Sequence, residues 1–163
     1  MPEYVASTAQ TVAARDNVLF TDTPVPCTKG LVVHREGSGI VTLKGCTPNC
    51  NARYFVAFSG NVALPAAAAT TPTTTAATPS ADTPQTAAVV PTGTIGIAIA
   101  VDGEPLQGAT ALSTPASAGQ YNNVATFAYV NVPRGCCTQI AVENTGTEAI
   151  NVQNANLLVT RVA

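Results

Sequence analysis

Four residues between positions 27 and 50 have side chains that commonly bind metal ions. They are Cys27, His34, Cys46 and Cys50, and thiolate and imidazole are ligands that zinc prefers. Cys46 and Cys50 are joined by a short Thr-Pro-Asn loop, so both thiols could reach one ion. The overall spacing matches no standard zinc ribbon or finger. The main prediction is therefore no metal and no cofactor, with a zinc site at these four residues as the alternative.

The number and placement of the cysteines bear on their redox state. The chain has five cysteines, and an odd number fits poorly with a fully paired secreted framework. Reduced thiols are the default prediction, and a Cys46–Cys50 disulfide in an assembled extracellular product is the alternative. The adjacent Cys136 and Cys137 would point to opposite faces of a strand, so at most one of them would line a core.

His34 is the only histidine in the chain, so a Ser-His-Asp or Cys-His arrangement would depend on it. The nearby Gly37-Ser38-Gly39 lacks the spacing and the strand-to-helix context of a nucleophile elbow. We therefore expect His34 to be a polar residue at the end of a strand that hydrogen-bonds locally.

Asp102 and Glu104 are two closely spaced carboxylates of the kind that act together in glycoside hydrolysis. The sequence around them, Val-Asp-Gly-Glu-Pro, is typical of a hairpin turn, and no tryptophan is present to form a sugar platform. A solvated turn is the favoured interpretation. Because no phosphate loop or dinucleotide fingerprint is present either, the sequence predicts no catalytic residues and no enzyme activity.

The charge content excludes several classes of protein. Only 10% of the 163 residues are charged and the net charge is -2, whereas about 25% is usual. Disorder throughout requires low hydrophobicity and high net charge, and nucleic-acid binding requires a basic patch; neither is present. The uncharged stretches are broken by Thr, Gly and Pro, and residues 1–17 lack an apolar run, so we expect neither a membrane span nor a secretory signal. The prediction is a soluble protein made in the cytoplasm.

Residues 65–92 differ in composition from the rest of the chain, and we call them the Ala/Thr/Pro segment. They contain five of the twelve prolines, and Asp82 is their only charged residue. Such a sequence cannot form a core and favours an extended or disordered loop. Because both flanks have strand patterns, the prediction is a long loop inserted into one domain, with an interdomain linker as the alternative.

Outside this segment the hydrophobic period is two, and no stretch has a sustained period of 3.6. Gly/Pro/Asn turn signals separate nine candidate strands, which predicts an all-β sandwich or jelly roll. The candidate strands cover residues 11–14, 18–21, 31–35, 40–43, 53–59, 94–101, 122–131, 138–143 and 157–161.

Three blocks of sequence carry a resemblance to known proteins. They are residues 18–27 with the motif His-Arg-Glu-Gly-Ser-Gly at 34–39, residues 97–108 with Val-Asp-Gly-Glu-Pro-Leu, and residues 132–137 with the closing stretch 149–162. Together they resemble a family of small proteins found among phage structural genes of Gram-positive gut bacteria. They are also similar to tumour-necrosis-factor-like and complement-like jelly rolls, including the C-terminal domains of collagen-like spore-surface proteins.

The resemblance implies a jelly roll with about ten strands that assembles as a tight trimer around an apolar axis. We therefore expect a single domain at 18–163, interrupted at 65–92, and an N-terminal arm at 1–17 that reaches a capsid lattice. The implied function is a phage virion protein, a trimeric capsid decoration or head-fibre subunit on the virion surface, whose partners are its own copies and the major capsid protein or another virion protein. The residues predicted to fill the core or the trimer interface are Phe55, Phe58, Ile97, Ile99, Phe127, Tyr129, Ile140 and Leu158.

The alternative function is a receptor- or glycan-binding tip domain of a phage fibre or a bacterial surface protein, with a host surface glycan as partner. Jelly rolls often host carbohydrate sites in their loops, and Tyr4 and Tyr121 are the tyrosines expected in loops. A spore-surface protein is a third interpretation, although the chain has no collagen-like repeat.

Overall fold

Eleven β-strands form the ordered framework of the chain in a computed structural model that describes residues 1–27, 29–66 and 93–163. These residues contain no helix, and hence none long and apolar enough to cross a membrane. The strands are β1 (Glu3–Ala6), β2 (Gln10–Val12), β3 (Asp22–Val25), β4 (Val32–His34), β5 (Ile40–Lys44), β6 (Asn51–Ala63), β7 (Ile95–Val101), β8 (Glu104–Ser113), β9 (Asn122–Pro133), β10 (Cys137–Asn144) and β11 (Ile150–Arg161).

The strands form two antiparallel sheets. The first sheet has the order β3-β1-β11-β6-β9, with the short β2 paired to the other half of β11, and the second has the order β4-β5-β10-β7-β8. From β5 onward the chain changes sheet at every connection except the β7–β8 hairpin. This alternation is the wrapping of a jelly roll, with five main strands in each sheet. The predicted all-β jelly-roll class is confirmed.

The core lies between the two sheets and is built by alternation along the long strands. In β6 the side chains of Tyr54, Val56 and Phe58 point inward and are at most 2% exposed. Opposite them, Ile97 and Ile99 of β7 are fully buried. Burying an aliphatic or aromatic side chain contributes about 1.5–3 kcal/mol, so the inward faces of these strands provide most of the stability of the sandwich.

The Ala/Thr/Pro segment connects the two sheets. Its flanking strands, β6 and β7, lie in opposite sheets, and their inward side chains share one core. The described strands on both sides of the segment therefore contribute to a single core. Residues 67–92, for which the sequence predicts an extended or disordered loop, lie outside the described residues.

The predicted N-terminal arm, residues 1–17, is largely part of the sandwich. β1 lies between β3 and β11, and Tyr4 on it is 2% exposed. The predicted strand at 18–21 is replaced by two isolated bridges at Asn17 and Phe20. Position 17 is therefore not a structural boundary, because residues 1–17 include sheet-forming strands on the same core as the rest of the chain.

Gly45 lies where the β5–β6 loop meets the β9–β10 turn. Its amide donates to the carbonyl of Cys136 (2.8 Å), and its own carbonyl accepts from the amide of Gly135 (3.1 Å). A Cβ atom at position 45 would overlap the carbonyl oxygen of Pro133, so any side chain here must displace backbone.

We expect Gly45→Ala to lower the free energy of unfolding by about 2 kcal/mol, the scale of overpacking in a tight site. Urea denaturation measures this change. Gly108→Ala on β8 is the matched control, because a Cβ there meets nothing within 4 Å. Equal stability of the two variants would contradict the overlap.

Candidate functional site

The outer face of the first sheet carries the largest group of exposed aromatic side chains in the described residues. β9 is the edge strand of this sheet, and its outward residues Phe127 and Tyr129 are each 62% exposed. They pair across the strands with Ala57 and Phe55 of β6, and these in turn pair with Leu158 and Thr160 of β11. We call Phe55, Phe127, Tyr129 and Leu158 the aromatic face.

The rings of the aromatic face contact one another and not the core. The ring centroid of Phe55 lies 5.9 Å from that of Phe127 and 5.3 Å from that of Tyr129, both in tilted arrangements. Such pairs add about 0.5–1.5 kcal/mol beyond burial, which keeps the rings together on the surface. The residues between the rings are small or uncharged, with Ala57 and Ser59 on β6 and Ala125 on β9. Two charged residues border the patch, Arg53 on β6 and Glu3, which pairs with Leu158. Exposed aromatic rings with charges only at the border are typical of a protein interaction site.

The structure divides the eight residues predicted for the core or the trimer interface into two groups. Four of them are inside the sandwich and at most 2% exposed: Phe58, Ile97, Ile99 and Ile140. The other four, Phe55, Phe127, Tyr129 and Leu158, form the aromatic face on the outside. The sequence pattern places both groups on strands but does not tell which side of each strand faces the second sheet.

The four residues of the alternative zinc prediction do not form a ligand set. The ring of His34 packs against Tyr4 at a centroid distance of 4.6 Å, and its Nε2 donates to the carbonyl of Ser38 at 3.0 Å. Among the described residues, no cluster of three or more His, Cys, Asp or Glu side chains is arranged to hold a metal ion. His34 is thus the locally hydrogen-bonded residue at the end of a strand that the sequence predicts.

Cys27 lies in a groove of about 560 Å³ at one end of the sandwich, together with Tyr54 and Arg161. Burial raises the pKa of the Cys27 thiol, but hydrogen bonds from the backbone at residues 29–32 outweigh burial, and the pKa falls below its usual value. Burial raises the pKa of Tyr4 to about 12 and also raises that of Tyr54, whose hydroxyl donates to the carbonyl of Lys44 at 2.7 Å. Both tyrosines therefore stay protonated and act as structural groups.

All five cysteines are free thiols in the structure, and Cys46, Cys50, Cys136 and Cys137 are exposed. Since Cys136 and Cys137 are both exposed, neither lines the core.

Asp102 and Glu104 flank the turn between β7 and β8, as predicted. Asp102 and Gly103 have φ angles of 51° and 88°, the positive values that a type I′ hairpin requires. The Oδ1 atom of Asp102 accepts from the amide of Gln139 at 2.8 Å, which ties the turn to β10. The Asp102 carboxylate therefore has a structural partner in the fold.

The two tyrosines predicted to lie in loops have different positions. Tyr121 immediately precedes β9 and is 39% exposed, whereas Tyr4 is buried in β1. The prediction is wrong for Tyr4 because the N-terminal residues pair with β11 and turn its ring into the core.

Comparison with known proteins gives a likeness in fold only. No protein-family model matches the sequence, and no curated protein matches it. Among solved structures, the chain is similar to the globular domain of the zebrafish complement 1qA protein, with 9% sequence identity, 96% of this chain and 94% of that chain covered, and a TM-score of 0.49. Such values give no basis for transferring ligands or partners to this chain.

Proposed function

We propose that this chain is a structural protein of a phage virion that assembles as a homotrimer through the aromatic face. It would serve as a capsid decoration or head-fibre subunit on the virion surface, and its role would be binding and not catalysis. The observation that carries the proposal is the pair of rings on β9, each 62% exposed on a sheet face whose centre is uncharged. Two rings with this much exposed surface are costly to leave in water, since an aromatic side chain buries about 150–250 Å² when it is fully covered.

The proposed occupants of the aromatic face are the aromatic faces of the other two subunits, which would meet around a three-fold axis. Low charge in the centre and large aromatic side chains characterise the cores of permanent interfaces. The number three and the virion location rest on the resemblance of the three sequence blocks to phage structural proteins and to trimeric jelly rolls. Because residues 3–12 belong to the sandwich, contact with the capsid would come from a folded surface and not from a free arm.

Two measurements test this proposal. Native mass spectrometry at micromolar concentration should give three times the chain mass of 16.5 kDa. Electron microscopy of the particle that contains the chain should then place it at three-fold positions or on a fibre. A monomer in the first measurement contradicts the trimer, and absence from virions contradicts the location.

A glycan-binding tip domain is the second candidate, and the exposure of Tyr121 and Tyr129 favours it, since exposed aromatic rings provide stacking surfaces for sugars. A glycan array identifies such binding. If Tyr121→Ala abolishes binding while the mass of the assembly is unchanged, the loop before β9 is the sugar site.

A further inference from the structure

A crevice of about 350 Å³ lies on the outer face of the second sheet, where β5 begins. β5 pairs with β10 only as far as Ile40 opposite Ala141. Beyond that point residues 15–18 continue alongside β10, with the amide of Val18 donating to the carbonyl of Val142 at 2.8 Å. The change from a strand to an irregular segment leaves a gap, and the crevice occupies it.

Glu143 of β10 lines the crevice and is 8% exposed. It alternates with the inward Val142, so its side chain is on the outer face, next to residues 15–18, which run beside β10. Among the described residues, no side-chain hydrogen bond and no ion pair within 4.0 Å engages its carboxylate. Glu143 is therefore a largely buried residue whose unpartnered carboxylate oxygens are still accessible to solvent, whereas charges in the interior of folded proteins are normally paired.

The surroundings of Glu143 combine apolar walls with few charges. Ile40, which is 42% exposed, and the small residues Ala100 and Ala141 form the apolar part of the lining. Asp102 also lines the crevice, but its Oδ1 is used by the amide of Gln139. Arg15 is exposed at the rim. The lining thus contains one carboxylate without a partner, beside aliphatic surface and near a single cation.

We propose that this crevice binds an alkylammonium group, with the carboxylate of Glu143 as its counter-ion and the apolar walls around its methylene stem. Long cationic side chains bury their stems along apolar surface in this way. A lysine side chain of a partner protein and a free polyamine share this chemistry. Calcium fits less well, because it takes six to eight oxygen ligands and no cluster in the described residues is arranged for a metal ion.

The binding test is a titration of the full chain with 1,4-diaminobutane at low salt, followed by calorimetry and backbone NMR. We expect a dissociation constant of about 1 mM, with shifts confined to the amides around Asn17 and Ala141. Glu143→Gln should weaken binding at least about tenfold, as expected for loss of a buried charge partner. Arg15→Ala should strengthen it several-fold, because it removes a like charge at the rim. The matched control Glu148→Gln changes an exposed acid outside the lining and should have no effect.

Other ligands decide the source and the chemistry. Nα-acetyl-lysine amide keeps the free side-chain ammonium. If it binds as well as the diamine, the result points to a lysine side chain, whereas tighter binding of the diamine points to a free polyamine. No shifts on titration, equal binding of the neutral 1,4-butanediol, or a response to calcium alone would each overturn the proposal. The shifts of the unaltered protein map the site even if Glu143→Gln does not fold. The crevice is on the opposite sheet from the aromatic face, so this test does not depend on assembly.

The burial of Glu143 also predicts how the stability of the fold depends on pH. Burial raises its pKa, Arg15 lowers it and Glu104 raises it, with a net upward shift; the carboxylate of Asp102 is the other charged group in the lining. A raised pKa in the folded state means that the protonated form is favoured by folding. Its stabilising contribution is fully present below the unfolded-state pKa and is lost as the pH rises through the folded-state pKa.

Glu143→Gln should therefore melt about 2–4 °C above the unaltered protein at pH 7, and this difference should shrink as the pH falls toward 4.5. Scanning calorimetry across this range, with Glu148→Gln as control, measures the effect. A constant difference at all pH values would show that the carboxylate is not desolvated.

Discussion

Phe127→Ser combined with Tyr129→Ser is expected to convert the proposed trimer into a monomer of 16.5 kDa. Truncating an aromatic side chain at the centre of an interface commonly costs about 2 kcal/mol or more, and each contact surface of the trimer would lose two. A closed trimer repeats the same interface three times, so the loss of binding free energy occurs at all three interfaces. Native mass spectrometry and light scattering over a range of concentrations measure the result.

The same substitutions should leave the fold of the single chain almost unchanged. Both rings are 62% exposed and outside the core, and surface changes usually alter the free energy of unfolding by less than about 0.5 kcal/mol. Leu112→Ser is the matched control, since Leu112 is 71% exposed but lies on β8, at the edge of the second sheet. An unchanged mass of the double variant, or dissociation of the control, would place the interface elsewhere.

Asn144→Asp is expected to be the most destabilising single substitution of those considered, at about 3 kcal/mol or more. Asn144 is fully buried at the end of β10, and its amide nitrogen donates to the carbonyls of Val12 (3.3 Å), Ala13 (3.1 Å) and Glu148 (2.8 Å). Its Oδ1 accepts from the amide of Gly146 at 3.0 Å. The side chain of Asn144 therefore joins Val12 and Ala13, in the N-terminal part of the chain, to the turn between β10 and β11.

Aspartate keeps the volume of Asn144 but replaces the donor by a charged acceptor that faces three carbonyl oxygens. Leaving buried polar groups without partners costs about 1–3 kcal/mol each, and a buried charge costs more. Asn144→Ala should cost less than Asn144→Asp although it removes more atoms. Urea denaturation at fixed protein concentration measures both, because assembly shifts apparent stability.

The control for this substitution is Asn123→Ala. Asn123 is exposed on β9, and its amide bonds to Asn61 at 3.1 Å. Its loss should change stability by less than about 0.5 kcal/mol. If Asn144→Asp proves no worse than Asn144→Ala, cavity formation and not the donor pattern dominates at this position.

The fold could be predicted from the sequence where side chains alternate strongly. β6, β7, β9 and β10 each have such alternation and were all predicted. β3 was missed because it contains Pro24, which is tolerated only in edge strands, and β3 is an edge strand. β8 was missed because its side chains are partly exposed on both faces, so its sequence has no clear period.

The sites depend on sheet pairing that the local sequence does not contain. Phe55 and Phe58 are equally apolar and three positions apart, yet one lies outside and the other inside. Glu143 looks like an ordinary charged residue at the end of a strand, and its burial follows only from the position of residues 15–18 beside β10. Neither fact follows from residue type.

The position of β11 between β1 and β6 has a consequence for the order of synthesis and assembly. β11 is made after both of its neighbours, yet it fills the middle of the first sheet. Until it arrives, β1 and β6 present unpaired edges, and pairing over such separations in sequence is slow. Because β11 also contributes Leu158 to the aromatic face, a nascent chain without β11 lacks a complete aromatic face. The proposed trimer therefore requires β11 to be in place in each subunit before the subunits associate.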